Sequence, residues 1–235
     1  MVARPPGRDA FSMTAAAIRV LVVDDHPAVR EGMQAMLERE AGIVVAGTAA
    51  TAGEAHAMWP ALKGGPVDVV LVDHHLPDED GFSLCLWLTT REPAPAVVIA
   101  AATVDEALAL PAAVAGASAV WAKISDPLGL PRILRATARG ERAVPAVSPS
   151  VGAIQAARLA SEDLPILGML RNGVAPAEIA ATLHLEPAAL AARRWAMLEV
   201  LAGSPRGDGG PRTMPRIQTI RRAFPSTATT SPGWS

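Results

Sequence analysis

Three carboxylates and one amine stand where apolar runs stop. IRVLVV is followed at once by Asp24 and Asp25, VDVVLV by Asp73, and SAVWA by Lys123. A single Asp at such a place is usually a turn or helix-cap residue, and a single Lys is usually solvated. A set of them at successive run ends is a different matter. If the runs are neighbouring strands, three like charges meet and raise one another's pKa. A hard divalent cation relieves that conflict, and Mg²⁺ on a few carboxylates and several waters is the usual solution where a phosphoryl group is nearby. Lys123 adds a cation to the same rim. Such a pocket stabilises an incoming phosphoryl group while one carboxylate serves as nucleophile. His26, His74 and His75 also invite a metal reading, but a histidine pair beside a strand points to opposite faces. They read as rim or surface residues.

The elements that must bring these groups together are legible. Strands are predicted at 18–23, 43–47, 67–72, 96–101 and 118–122, each short, rich in Val, Ile or Ala, and apolar on both faces. Helix-length stretches separate them. In PAVREGMQAMLERE, Val29, Met33, Met36 and Leu37 recur at helical spacing and Pro27 suits the first turn. Five strands alternating with helices predict an α/β fold with a doubly wound parallel sheet. In such a sheet ligands bind beyond the carboxyl ends of the strands, where the charged residues stand.

Composition sets the bounds. Half of the 235 residues are apolar, so the chain can bury a core, and alanine supplies much of that count. The net charge of −2 excludes binding to polyanions through bulk charge alone. A single cysteine, Cys85, allows no intrachain disulfide and favours a reducing compartment. The first residues carry arginines with no continuous apolar segment behind them, and Ala107–Ala122 falls short of the roughly 18 to 20 apolar residues of a spanning helix. The expectation is a cytoplasmic protein without membrane contact.

The texture changes after residue 142. An N-terminal arm (1–17) and the sheet unit (18–142) are followed by a Pro- and Ser-containing linker (143–160) that leads into a short helix. Only helical patterns occupy 161–202, broken at RNGVAP and HLEP, which predicts a small three-helix unit. The tail (203–235) sets Arg206, Arg212, Arg216, Arg221 and Arg222 against the single Asp208. It is expected to be mostly disordered, with one short helix at 216–224.

Residues 18–145 resemble the receiver domain of two-component response regulators, a flavodoxin-like five-stranded fold. VLVVDDHPAVREGM is similar to that family's first strand and acidic pair, VDVVLVDHHLPDEDG to its phosphoacceptor strand and loop, and GASAVWAK to the approach to its lysine. The resemblance implies that Asp73 accepts the phosphoryl group. Asp24 and Asp25 would bind Mg²⁺ with it, helped by the main-chain carbonyl of His75, and Lys123 would contact the phosphoryl oxygen. It implies a histidine kinase as phosphodonor and a homodimer as the working form. The sequence departs from the family at the two switch positions. The hydroxyl expected at the end of the fourth strand falls on Ala101, with Thr103 two residues later, and the partner aromatic falls on Val120, with Trp121 one place late.

LPILGMLRNGVAPAEIAATLHLEPAALAARRWAMLEVL resembles a LuxR-type helix-turn-helix. Gly173 closes its first helix, Glu178-Ile179-Ala180 lie on the second, and Pro187 opens the third. The resemblance implies promoter DNA as target. The third helix offers Ala189 for a thymine methyl at best, with Arg193 and Arg194 as phosphate or guanine contacts and Arg171 on the backbone. Two readings follow: a transcription regulator of weakened or tail-assisted affinity, or a degenerate helix-turn-helix used for protein contacts. Catalysis is not expected. A haloacid-dehalogenase-type phosphatase needs a second Asp two residues after the nucleophile, and that position is His75.

Overall fold

The computed structural model describes residues 17–62 and 64–202. The N-terminal arm up to residue 16 and the arginine-rich tail, with the helix expected at 216–224, lie outside them. Five parallel strands form one sheet: β1 (Ile18–Val23), β2 (Ile43–Ala49), β3 (Val69–Asp73), β4 (Ala96–Ala101) and β5 (Ala119–Ala122). Their order is β2-β1-β3-β4-β5. β3 begins two residues later than its composition suggests. The Asp68 carboxylate accepts the Arg19 N–H at 2.7 Å, so a side chain stands in at the start of the ladder.

Helices cover both faces. α1 (Pro27–Leu37) and α5 (Leu130–Ala138) bury Met33, Leu37, Leu130 and Leu134 against Val20, Val22, Val69 and Leu71. The other face carries α2 (Ala52–Met58), α3 (Gly81–Leu88) and α4 (Ala109–Ala115). α2 starts on Thr51, whose hydroxyl accepts the Glu54 N–H while the Glu54 carboxylate accepts that of Ala50. α3 starts on Asp80, which accepts from both the N–H and the hydroxyl of Ser83.

α3 and α4 are apolar all round, as helices buried on every side must be. Every residue of α4 is buried. One side of α4 meets the domain's own core; the other is covered by the helical unit. That unit comprises α6 (Pro149–Ala156), α7 (Leu164–Arg171), α8 (Pro176–Thr182) and α9 (Pro187–Leu201). α7 and α9 pack on α4, and α9 also touches α3. One apolar cluster therefore runs from Val70 and Ile99 through Leu110 and Val114 to Leu167, Leu190 and Leu198. The segment expected as a linker is held as well, because Ala143 pairs beside β5 through hydrogen bonds with Ser118 and Val120.

The seam has one charged residue at its centre. Arg194 of α9 is 2% exposed, and its Nε donates to the Val114 carbonyl at 2.9 Å. The last carbonyls of a helix have no partner inside it and carry the negative end of its dipole. Arg194 therefore caps α4 from another element, while the Thr89 hydroxyl and the Cys85 thiol reach the next carbonyl, Ala115. Burial pushes the Arg194 guanidinium down to about 10 and the Cys85 thiol up to about 12. Gly116 makes room for this cap. It ends α4 at φ +79°, and a Cβ there would stand 2.8 Å from Arg194 Nη2. Gly116→Ala is expected to destabilise the protein by about 1–2 kcal/mol from backbone strain and crowding. The cost should shrink in an Arg194→Ala background, because part of it is contact with the guanidinium. Urea unfolding midpoints of the four proteins test this; equal costs in both backgrounds would remove Arg194 from the explanation.

Candidate functional site

The order β2-β1-β3-β4-β5 brings the carboxyl ends of β1 and β3 side by side, with β5 two strands from β3. Asp24 follows β1 and is fully buried; Asp73 ends β3 and is 5% exposed. The Lys123 Nζ lies 2.6 Å from Asp24 Oδ2 and 2.8 Å from Asp73 Oδ2, so one ammonium is shared by two carboxylates. Asp24 is fixed further by the His26 N–H at 2.9 Å, and its main-chain carbonyl by Arg30 at 2.6 Å. Asp25 is half-buried and lies 2.6 Å from the His26 imidazole. Ligand atoms of Asp24, Asp25, His26 and Asp73 all fall within 4.8 Å of one another.

The loop after β3 is closed by a glycine. Gly81 donates its N–H to the His74 carbonyl at 3.0 Å, and any Cβ there would overlap the Asp73 carbonyl oxygen. That contact folds the loop back over the strand end and leaves the Asp73 carboxylate facing the pocket. His74 lies with its Nδ1 3.5 Å from Asp73 Oδ1, and the His75 N–H is at the same distance from that oxygen. The two imidazoles stack at 3.7 Å between centroids rather than pointing apart. That differs from the strand-based expectation because both residues lie past the last ladder residue of β3.

Charge decides what the pocket can do. Burial tends to raise the Asp73 pKa, but the hydrogen bonds from His74 and Lys123 and the lysine charge outweigh it, so the carboxyl is held below its ordinary value. Lys123 is the mirror case: burial tends to lower it, and Asp24 and Asp73 hold it above its ordinary value. At neutral pH the pocket holds ionised Asp73 against a protonated lysine. Three carboxylates facing one ammonium leave an anionic excess, and the oxygen-rich donor set suits a hard divalent cation.

Residues 20–135 match the family model described as the response regulator receiver domain. The chain is 31% identical over 179 residues to the DNA-binding transcriptional activator DevR/DosR of Mycobacterium tuberculosis, covering 72% of this chain and 81% of that one. It is 32% identical over 199 residues to the response regulator UvrY of Escherichia coli, covering 78% and 88%. The chain belongs to the response regulators. Among solved structures, a LuxR-family two-component response regulator from Aurantimonas sp. SI85-9A1 superposes with a TM-score of 0.50 at 34% identity, over 59% of this chain and 94% of that one. The RcsB–DNA complex shares the fold at a TM-score of 0.51 and 21% identity, over 80% and 93%.

Around the pocket of this response regulator, the positions where the resemblance leads one to expect a hydroxyl and an aromatic carry neither. Ala101 is buried at the end of β4 and Thr103 is exposed in the loop beyond it. Val120 is buried toward α3 and α4, whereas Trp121 packs on the opposite face with α1 and α5 and donates its Nε1–H to the Asp126 carbonyl. In the helical unit, Ala189 and Arg171 are exposed. Arg193 is tied to Asp163 at 2.7 Å, and Arg194 is the buried cap described above. The two α9 arginines are thus engaged within the chain rather than offered to a ligand. Residue spacing cannot reveal this, because the Arg194 contact depends on how one unit docks on the other and the Arg193 pair on how α9 packs beside Asp163 within its own unit. His184 in the α8–α9 turn adopts φ +51°, a left-handed conformation uncommon for non-glycine residues but one in which histidine is enriched.

The sign of the electrostatics is testable by carboxyl NMR without divalent cations. Asp73 should titrate below the ordinary carboxylate value of 3.8. Its stabilising contribution is then complete above that value and is lost as pH falls through the lower, folded-state pKa. Lys123→Met should move the Asp73 titration upward, because burial then acts without the compensating cation. An unmoved titration would sever the pair.

Proposed function

We propose that this protein is the response regulator of a two-component system: it accepts a phosphoryl group on Asp73 and regulates transcription through α7–α9 on promoter DNA. The observation that carries the reading is the ionised Asp73 carboxylate paired with Lys123 at the converging ends of β1, β3 and β5. One Asp73 oxygen attacks the phosphorus of a phosphohistidine, the bond from phosphorus to the imidazole nitrogen breaks, and an acyl phosphate forms. Lys123 gives up one of its two carboxylate partners for a phosphoryl oxygen, and the negative charge this adds to the acidic cluster is what a divalent cation would offset. Asp24 and Asp25, with Asp73 and the His75 carbonyl, would hold Mg²⁺, which supplies positive charge to the transferring oxygens. Asp24 stays fixed through His26 and Arg30 while this happens.

The donor is a histidine kinase, and the surface beside the pocket suits one. A hollow of about 390 Å³ between α1 and the end of β5 is lined by Val29, Gly32, Met36, Ile124 and Pro127. Ile124 is 70% exposed and Leu128 85%. Apolar side chains held out next to a phosphoacceptor seat an apolar helix face of the donor.

On the output side the relatives aligned along most of the chain favour DNA over a purely protein-binding role. The N-terminal end of α9 presents Ala189 without a hydrogen-bonding group, so affinity rests on the exposed Arg171 and the arginines of residues 203–235, joined by Arg193 and Arg194 only when these leave Asp163 and the Val114 carbonyl. Paired copies would give such a module its two half-sites.

Two experiments test these steps. With Mg²⁺ and acetyl phosphate the protein should gain one hydroxylamine-labile phosphoryl group. Asp73→Asn should abolish it, Asp25→Ala should reduce it, and Ile124→Asp should slow transfer from a kinase while leaving acetyl phosphate labelling unchanged. Labelling that survives Asp73→Asn would sink the assignment. In DNA titrations at several salt concentrations, each arginine removed should flatten the salt dependence by about one unit of slope. Truncation after residue 202 should weaken binding to all sequences alike; undiminished affinity of the truncated chain would exclude the tail.

A further inference from the structure

Between the acidic pocket and the helical unit lies one short segment. It runs from the end of β4 through a single turn of 3₁₀ helix (Glu106–Leu108) into α4. At its upstream end it is stitched to the pocket by main-chain bonds alone. The His74 N–H donates to the Ala100 carbonyl at 2.9 Å, the Lys123 N–H to Ala101 at 2.8 Å, and the Ile124 N–H to Ala102 at 3.3 Å. The residues flanking Asp73 and carrying Lys123 therefore hold this segment directly, without the hydroxyl that Ala101 lacks. Asp105 fixes the next turn by accepting the Ala107 N–H at 2.9 Å.

The downstream end is held by the output half of the chain. Ser148 opens α6, yet its side chain makes no capping bond within that helix. Its N–H and its hydroxyl both go to one oxygen of Glu106, at 3.0 and 2.6 Å. Two turns along α6, the Gln155 Nε2 donates to the Ala107 carbonyl at 3.1 Å, although Gln155 is only 9% exposed and its Oε1 is buried with no partner among the described residues. A buried amide satisfied on one side only marks a contact that is made at a cost. At the far end of α4, Arg194 holds the Val114 carbonyl. The segment is thus clamped at both ends by the half of the chain it would have to release.

A lone Ser–Glu hydrogen bond on a surface is usually decoration. This one joins residues 42 positions apart across the two halves, takes both donors of a helix-opening serine, and sits next to the Gln155 contact. Those bonds also hold the Glu106 carboxyl below its ordinary value.

We propose that Glu106 is the latch that keeps the helical unit closed on the sheet domain, with the main chain from Ala100 to Ala107 carrying the state of the pocket to it. That the pocket's state is set by a phosphoryl group rests on the function proposed above; the latch itself does not. Re-pairing of Lys123 shifts its main chain, and with it Ala101 and Ala102. The turn that presents Glu106 moves, Ser148 loses its acceptor, and α6 is released together with the helices that follow it.

The test is amide hydrogen exchange on the full chain, unphosphorylated, comparing wild type with Glu106→Ala and Glu106→Gln. Glu106→Ala should accelerate exchange in residues 149–156 and along α9 by about tenfold, the loss of charge-assisted bonds that close a local unit. Glu106→Gln keeps an acceptor oxygen for Ser148 and should remain near wild type. Labelling of Asp73 by acetyl phosphate should be unchanged in both, since Glu106 lies outside the pocket. Wild-type exchange in Glu106→Ala, or equal opening by Ala and Gln, would overturn the latch. Absence of label on wild-type Asp73 would instead overturn the phosphoacceptor reading and leave the exchange result standing.

Discussion

A carboxylate buried at the mouth of an apolar strand is tolerable only while positive charge faces it, and in this protein that charge is one ammonium. Lys123 holds Asp24 and Asp73 at once, both nearly without solvent. Removing one partner from such a group would leave an uncompensated charge in low dielectric, a cost of several kcal/mol. The constraint reaches into the topology. β4 lies between β3 and β5, so the lysine must reach past the end of β4, and that strand ends in two alanines, Ala100 and Ala101. The same interaction makes the pocket responsive: a new anion on Asp73 must be answered by the same ammonium.

The second constraint is the apolar surface of α4. A receiver whose α4 faced water would show polar residues on one side of that helix. Here Ala109, Leu110, Pro111, Ala112, Ala113, Val114 and Ala115 are all buried, which leaves the helical unit as the only cover the chain supplies among the described residues. Opening the seam exposes apolar area and leaves α4 without its Arg194 cap. Against that stands the desolvation of a guanidinium with a single hydrogen bond and an unpaired Nη2. Apolar burial and charge desolvation oppose each other at one place, so neither makes the closed form irreversible.

Much of this was legible in residue order. Strand-length Val and Ile runs of the right number, separated by helical patterns, carry a parallel doubly wound sheet, and the acids and the lysine lie where ligands bind in such sheets. The strand bounds shifted by one or two residues at β2, β3 and β5, and at the start of β3 the reason is the Asp68 side chain, which enters the ladder at Arg19. The orientation of the histidine pair was misjudged because period-two alternation stops with the strand, and both residues lie beyond it, although His75 is exposed and His74 half-buried, as rim residues are. The seam was not legible at all. Alanine-rich stretches such as ALPAAVA signal burial without saying against what, and a Pro- and Ser-containing stretch such as 143–160 reads as a tether whether or not its residues are tied down. Arg193 and Arg194 look like ligand contacts in sequence because an arginine's partner, Asp163 within the unit in one case and the Val114 carbonyl across the seam in the other, is a property of tertiary packing.

Alanine plays opposite parts in the two helices that face each other across the molecule. In α4 the small side chains allow α7 and α9 to approach closely, and the seam follows from that approach. On the outer face of α9, Ala188, Ala189, Ala192 and Ala196 are exposed and offer neither charge nor hydrogen bond. Cations for a polyanionic partner must then come from the few arginines nearby, and both of those on α9 are engaged, Arg194 across the seam with the Val114 carbonyl and Arg193 with Asp163 inside its own unit. In this protein access to α9 is a question of charge more than of shape. The closed form leaves the alanine face open to solvent and withdraws Arg194 into the seam, while Arg193 stays paired inside its own unit.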